Sequence, residues 1–311
     1  MTSRLEVFQR PPPTADYTAP SKWLIPGIVI ALAGMMGAVV TLIANLVAAN
    51  GETESSVATI LGWSFGVTTF SFGTIKFGIA VILIGILVRL WMRVDSVKAS
   101  LPDLKAPAEV GESSHGKIKT EFGPAIASAT EPRPLGIHRM AKTMWAPMLA
   151  MGVMALVVGL ILSFVWAGEE SRLDDVGAWT QGLQFLGEAF LLSGIAFLLG
   201  TILYSLRQGG GEVQESSGVT VKTLEMPATA KAFVGLMMLG LMISVAQFIL
   251  YLASTTVDGT SSIQAWQAWL GPLRELGLGL ILAGIVLALV TIGNVLGFQF
   301  SRIKEIIATG R

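Results

Sequence analysis

Four ionisable side chains lie within apolar stretches long enough to form membrane helices: Lys76, Glu188, Arg274 and Glu275. A charge near the centre of a bilayer costs at least about 2.5 kcal/mol, so such residues are functional candidates by default. Lys76 lies 13 residues before Arg89, about 20 Å along a helix, which places it in the half of the apolar core away from Arg89. Internal alignment puts Glu188 about one helical turn further out, with Arg274 and Glu275 closer still to that outer surface.

These residues allow two interpretations. In the first, Lys76 and Glu188, together with Glu275, line a polar path or substrate site between helices, which predicts a small-solute or ion transporter or channel. In the second, the charges form an interhelical ion pair, or Lys76 extends its long side chain to the outer headgroups. The sequence favours the second interpretation, because each helix carries only one deep charge and no relay of acids crosses the bilayer.

Residues suited to other chemistry are scarce. The chain has no cysteine, which excludes disulfides, thiolate nucleophiles and iron–sulfur clusters. Its two histidines, His115 and His138, both fall in a predicted inner loop, so no helix offers a histidine pair for haem or a metal. Phosphate-binding loops and HExxH motifs are absent from the sequence. We therefore expect no catalytic, cofactor-binding or metal-binding set, and no enzyme.

The segments that must position these side chains are long and apolar. Of the 311 residues 52% are hydrophobic and 14% are charged, whereas soluble domains carry about 25% charged residues. A membrane helix needs about 20 apolar residues, and its backbone groups must bond to each other because lipid offers no partners. The sequence therefore predicts an all-α membrane protein with six transmembrane helices. They span residues 23–50, 57–92, 144–167, 176–206, 232–253 and 266–300.

The chain also repeats itself. Residues 109–125 and 212–228 agree at nine of seventeen positions without a gap. We predict three parallel copies of one helical hairpin, over residues 1–93, 94–207 and 208–311, because each copy begins and ends on the same side of the membrane.

Glycines recur at matching places in the three hairpins. The two glycines of a pair are separated by 44, 42 and 44 residues in the first, second and third hairpin. Small residues let membrane helices approach closely, so these glycines are candidate helix-packing positions. The pairs are Gly34 with Gly78, Gly152 with Gly194, and Gly240 with Gly284.

The segments between the hairpins contain short strand-like patterns. Lys117–Phe122 and Val219–Met226 partly alternate apolar and polar residues and precede Pro124 and Pro227, which predicts short cytoplasmic strands that end at the prolines. Arg4–Phe8 is a weak third copy of this pattern. Three further inner segments are predicted to be loops from their Pro, Gly, Ser and Ala content. They are Lys98–Pro107, Ala125–Pro134 and Gln208–Gly211.

The placement of basic residues predicts the orientation. Of the 21 Lys and Arg residues, 18 lie in the two terminal segments, in the 2–3 and 4–5 linkers, or at the helix ends next to them. The positive-inside rule then places both termini in the cytoplasm. The expected location is the bacterial inner (plasma) membrane, with the lipid bilayer as the first partner. Zero formal net charge gives no general attraction to nucleic acid, so no nucleic-acid partner is expected.

A bundle with few polar groups, no redox ligands and many small residues is typical of a membrane subunit that packs against others. We expect a non-catalytic integral membrane subunit that scaffolds or stabilises a larger membrane protein complex. The alternative is the transporter or channel with a polar site near Lys76 and Glu188.

Overall fold

Six long helices make up the membrane part of the protein. The computed structural model describes residues 23–49, 54–100, 117–120, 123–128, 136–168, 173–216, 223–224, 227–256 and 260–308. Each helix contains a segment long and apolar enough to cross a membrane, which confirms the prediction of a multi-pass membrane protein in a lipid environment. The helices are α1 (Leu24–Ala49), α2 (Glu54–Ser100), α3 (Gly136–Gly168), α4 (Leu173–Ser216), α5 (Ala228–Ser254) and α6 (Thr260–Ala308).

Several helices continue beyond the predicted apolar spans. The prediction of a loop at Gln208–Gly211 is wrong, because α4 runs through these residues to Ser216. Similarly, α2 runs to Ser100 and includes the start of the predicted loop Lys98–Pro107. A helix that the membrane segment has already nucleated adds one hydrogen bond per residue, so even glycines, at about 1 kcal/mol each, do not end it.

The segments between α2 and α3 and between α4 and α5 contain three short strands, which pair into one sheet. β1 (Lys117–Thr120) pairs with β2 (Gly123–Ser128), and β2 pairs with β3 (Thr223–Leu224), both antiparallel. β1 lies within the predicted strand Lys117–Phe122 and ends before Pro124, whereas β2 is a separate strand that includes this proline. β2 also occupies the start of the predicted loop Ala125–Pro134, which is wrong over residues 125–128. Pro124 lies opposite Lys119 of β1 in the sheet, where a missing N–H is tolerated near a strand end.

The pairing of β2 with β3 has a topological consequence. β2 belongs to the linker between α2 and α3, and β3 to the linker between α4 and α5, so both linkers lie at the same end of the bundle. Parallel hairpins require this arrangement. The cytoplasmic location of the sheet stays a prediction, and so does a strand over the full length of Val219–Met226. Arg4–Phe8 and residues 101–116 lie outside the described residues.

The helices form a row of hairpins with α4 at its centre. Within each hairpin the two helices pack together, and α4 also contacts α2, α5 and α6. The apolar span of α4 is 67% buried, compared with 17% for α1, which packs against α2 at one end of the row. The main cluster of buried side chains draws residues from α2 to α6, and its members on α4 include Leu191, Leu198 and Leu199.

Glycines set the distance between the helices of each hairpin. A Cβ atom on Gly34 would lie 2.9 Å from the backbone nitrogen of Ile75. The equivalent atom on Gly240 would lie 3.0 Å from the nitrogen of Ile281 and 2.6 Å from the carbonyl oxygen of Gly277. Only a residue without a side chain permits this approach.

The same register occurs in all three hairpins. The first glycine of each pair packs against a residue that lies three positions before the second glycine. These contacts are Gly34 with Ile75, Gly152 with Leu191 and Gly240 with Ile281. In return, the second glycine packs against a residue three positions before the first, and these contacts are Gly78 with Ala31, Gly194 with Leu149 and Gly284 with Met237.

Candidate functional site

A buried carboxylate lies where the three hairpins meet. Glu188 of α4 is 6% exposed at its side chain, and its Oε1 atom accepts a hydrogen bond from Lys76 Nζ of α2 at 2.9 Å. Its second oxygen, Oε2, lies 3.4 Å from Nη2 of Arg274 on α6. One carboxylate therefore joins cations from both neighbouring hairpins, and we call these three residues the Glu188 cluster.

An aromatic group surrounds the arginine of the Glu188 cluster. The Cζ atom of Arg274 lies 3.8 Å from the ring centroid of Phe185, one turn from Glu188 on α4, which is cation–π geometry. Phe185 in turn makes edge-on contacts with Phe65 of α2 and Tyr251 of α5, at centroid distances of 6.0 and 5.8 Å. The ring of Phe185 therefore covers one face of the guanidinium, and Phe65 and Tyr251 hold that ring in place.

Glu275, the fourth predicted residue, lies at the edge of this group. Its side chain is 72% exposed, and its Oε1 atom is 3.6 Å from Nη1 of Arg274. The buried part of the cluster therefore has two cations and one anion, and Glu275 supplies the second negative charge from the surface.

A polar side chain that the sequence analysis did not single out lies one turn from Glu188. Gln184 is completely buried on α4, and neither its Oε1 nor its Nε2 atom has a hydrogen-bond partner among the described residues. It lies beside Gly159 of α3 and close to Gly66 of α2. A glutamine four positions before the only deep acid of an apolar helix is visible in the sequence, and it marks the same helix face.

The hydroxyl groups of α2 are satisfied by their own helix. Thr68, Thr69, Ser71 and Thr74 each donate a hydrogen bond to the carbonyl oxygen four residues earlier, at 2.6–3.1 Å. The hydroxyl protons of these four residues are therefore used within α2, which is the usual role of Ser and Thr in a membrane helix.

The arrangement restricts the chemistry available at the Glu188 cluster. Glu188 is the only carboxylate between two cations, so it is poorly suited to hold a metal ion. Among the described residues no group of three His, Cys, Asp or Glu side chains could hold a metal ion. The cluster has no nucleophile with an adjacent base. The cluster is an interhelical ion pair between Lys76 and Glu188, and Arg274 is a third member at the longer distance of 3.4 Å from the carboxylate.

A second group of polar residues lies beside a cavity where the apolar span of α4 ends, at Arg207. The cavity measures about 70 Å³ and is lined by residues of α3, α4, α5 and α6, including His138 and Arg207. We call it the Arg207 cavity. His138, predicted to lie in an inner loop, instead lies in the first turn of α3, where it is partly buried with its ring centroid 4.9 Å from that of Tyr204.

Two buried nitrogen atoms at the Arg207 cavity have no partner in the described part of the chain, whereas the hydroxyl of Thr291 is hydrogen-bonded to Thr229 and Leu287. Among the described residues, neither Nδ1 of His138 nor Nε of Arg207 has a hydrogen-bond partner, although both atoms are buried. Arg207 makes no salt bridge within the same part of the chain. In the sequence Arg207 stands out only as a basic residue at a helix end, because nothing in the neighbouring sequence indicates a cavity.

No protein-family model, curated protein or solved structure matches this chain, so the functional argument depends on its own residues.

Proposed function

We propose that the protein is a non-catalytic integral membrane subunit that scaffolds or stabilises a larger membrane protein complex. The proposed location is the bacterial inner (plasma) membrane, with both termini in the cytoplasm. The observation that carries this proposal is the Glu188 cluster, in which one carboxylate on the central helix pairs with cations from the hairpins on both sides. In this arrangement the deep charges stabilise the contacts between the three hairpins.

The packing between the helices supports the proposal that the bundle is a rigid scaffold. Charges at the centre of a bundle are costly, and pairing them removes most of that cost while fixing which helices are neighbours. The hydroxyl groups of α2 bond to their own backbone, and glycines bring the two helices of each hairpin into close contact. A subunit that serves as a fixed support requires these properties.

We also propose that the rigid body consists of three parallel copies of one hairpin. The equivalent glycine contacts of the three hairpins and the location of both linkers at one end of the bundle support this view. Repetition of a two-helix unit lengthens the row without a new fold.

The surface available to a neighbouring subunit is largest on α1. Only 17% of its apolar span is buried, and Ile25, Met36 and Leu42 are more than half exposed. Ala33 is also exposed on this helix, on a face that does not pack against α2. Small and apolar groups at this end of the row suit contact with another membrane helix as well as with lipid.

The test is purification of the full chain in a mild detergent, followed by native mass spectrometry. We expect other membrane proteins to co-purify in a fixed ratio. Ala33→Trp should reduce that ratio, because it adds a large side chain to the outer face of α1. Ile161→Trp, at a 58% exposed position of α3, is the matched control and should leave it unchanged. Recovery of the wild-type chain as an isolated monomer contradicts the proposal.

One observation favours a second candidate function, a small-solute or ion transporter or channel at the Glu188 cluster. The amide of Gln184 is buried and unpaired one turn from Glu188, and two cations share a single buried carboxylate. A pore or substrate site would provide partners for that amide, and an anion would balance the charge.

The two functions differ in what the charged residues control. If the cluster transports a solute, Lys76→Met and Glu188→Gln should abolish flux into proteoliposomes while the fold remains intact. If it is structural, the same changes should lower stability and complex recovery, with no flux in the wild-type protein to lose. Gln184→Leu separates the cases further, since it removes the unpaired amide and should leave a scaffold as stable as before or more so.

A further inference from the structure

The Arg207 cavity has an apolar wall and one charged end. Its lining includes Ala196 and Phe197 of α4, Phe233 and Met237 of α5, and Val295 of α6. At the charged end, Arg207 and His138 present buried nitrogen atoms without partners among the described residues. A buried polar group without a partner is costly, so this end of the cavity is suited to a ligand with acceptor atoms.

The depth of the charged end identifies the kind of ligand. The apolar span of α4 ends at Arg207, and the apolar span of α3 begins at Ile137, next to His138. Both residues therefore lie where the apolar core of a membrane meets the phosphate groups of its lipids. Basic pockets between helices at this level bind anionic lipid headgroups.

From this geometry we propose that the Arg207 cavity binds an anionic phospholipid. The lipid phosphate accepts hydrogen bonds from the Arg207 guanidinium, and His138 lies close enough to the same end to contribute a further contact. One acyl chain packs against the apolar wall between α4 and α5. This site joins the second and third hairpins through a lipid, and it does not depend on the proposed scaffold function.

The apolar lining of the Arg207 cavity favours a lipid over a free anion as the ligand. A phosphate ion would use only the charged end and would leave the apolar surface of Phe233 and Met237 without a partner. A phospholipid satisfies both parts, since its charge and its chain are joined at the distance that the membrane itself sets. The Arg–phosphate contact is charge-assisted and can be bidentate, which favours an anionic headgroup.

The test uses the full chain in a mild detergent and measures lipid binding by native mass spectrometry. The probes are phosphatidylglycerol and phosphatidylcholine with identical acyl chains, and sodium phosphate. We expect the wild-type protein to bind phosphatidylglycerol at least about tenfold more tightly than phosphatidylcholine, the size of one charged hydrogen bond. Equal binding of the two lipids overturns the proposal, and so does full competition by millimolar phosphate, which would assign a free-anion site.

Two variants separate the charge from the chain. Arg207→Gln should weaken phosphatidylglycerol binding about tenfold, whereas Arg139→Gln, an exposed cation on the same end of α3, should change it less than about twofold. Gly200→Val narrows the cavity, since a Cβ atom there would already lie 3.3 Å from the Cβ of Ala141, and should weaken both lipids. Gly235→Val is its control, because no atom lies within 4 Å of a Cβ at that position.

Folding is checked separately by size-exclusion chromatography and circular dichroism. If Arg207→Gln does not give a monodisperse protein, Arg207→Lys provides the same test, because it retains the charge but loses the bidentate geometry. We expect Arg207→Lys to keep a preference for phosphatidylglycerol that is weaker than in the wild-type protein. Unchanged lipid binding in both Gly200→Val and the Arg207 variant overturns the site.

Discussion

Two levels of α4 handle charge in different ways. Within the apolar span, Glu188 is paired with Lys76 and Arg274, which come from the neighbouring hairpins. Arg207 lies 19 residues further along α4, about 28 Å away, and has no acidic partner among the described residues. In an apolar medium a charge paired by its own chain stabilises the fold, whereas one left unpaired beside a cavity is available to a ligand.

The largest effect should follow from Glu188→Gln. This change leaves Lys76 and Arg274 without their shared carboxylate, and removal of one partner of a buried ion pair costs about 3–5 kcal/mol. We expect a loss of that size in the free energy of unfolding, measured by denaturant titration in lipid-free detergent. Under the same conditions Arg207→Gln should change it by less than about 1 kcal/mol, because Arg207 has no acidic partner among the described residues. Equal losses in the two variants would erase the difference between the two levels of α4.

Lys76→Met should destabilise the protein less. Arg274 still pairs with Glu188 after this change, so the expected loss is about 1.5–3 kcal/mol, the contribution of one charged hydrogen bond. The double variant Lys76→Met with Glu188→Gln should lose less than the sum of the two single variants, because residues in one network are coupled. Additive losses would show that Lys76 and Glu188 stabilise the fold separately.

Glycine substitutions compare the tight packing of a hairpin with the space around the cavity. Gly240→Ala places a Cβ atom 2.6 Å from the carbonyl oxygen of Gly277, so the helices must move apart, at a cost of about 1–3 kcal/mol. Gly200→Ala meets the Cβ of Ala141 at 3.3 Å and Cε1 of Phe233 at 4.0 Å, and Gly235→Ala meets nothing within 4 Å. Thermal unfolding should rank Gly240→Ala as the least stable of the three. Similar melting temperatures would contradict close packing at Gly240.

The smallest effect is expected for Glu275→Gln. Its carboxylate is 72% exposed and 3.6 Å from Arg274, and exposed ion pairs contribute about 0–1 kcal/mol. The unfolding free energy should therefore change by less than about 1 kcal/mol, and high salt should remove the difference. A loss as large as that of Lys76→Met would place Glu275 within the buried network.

Part of the site was visible in the sequence. Lys76 and Glu188 stand out because single charges in long apolar segments are rare, and the lack of an acid relay favoured an interhelical ion pair or a lysine that reaches the headgroups. Arg274 was expected nearer the surface, yet its long side chain reaches inward to Glu188. Gln184 was overlooked because an uncharged amide is less conspicuous than an acid, although it lies on the same helix face.

Helix ends were predicted less well than helix cores. Hydropathy locates the part of a helix that lies in lipid, but it does not report where the helix stops once it leaves. For this reason α4 continues through Gln208–Gly211, where the glycines suggested a loop. The strand β2 shows the same limit at Pro124, since pairing with β1 and β3 decides its extent.

The amino-acid sequence alone determined that six segments are helical and lie in a membrane, because lipid offers no partners to a backbone and each apolar segment must satisfy its own hydrogen bonds. The spacing of the glycines also marked which positions of each hairpin pack closely. Only the tertiary structure decided that Lys76, Glu188 and Arg274 meet, and that a cavity opens beside Arg207. These features depend on how each helix is rotated about its axis and which helix lies next to it, and both are set by side-chain packing between segments far apart in the chain.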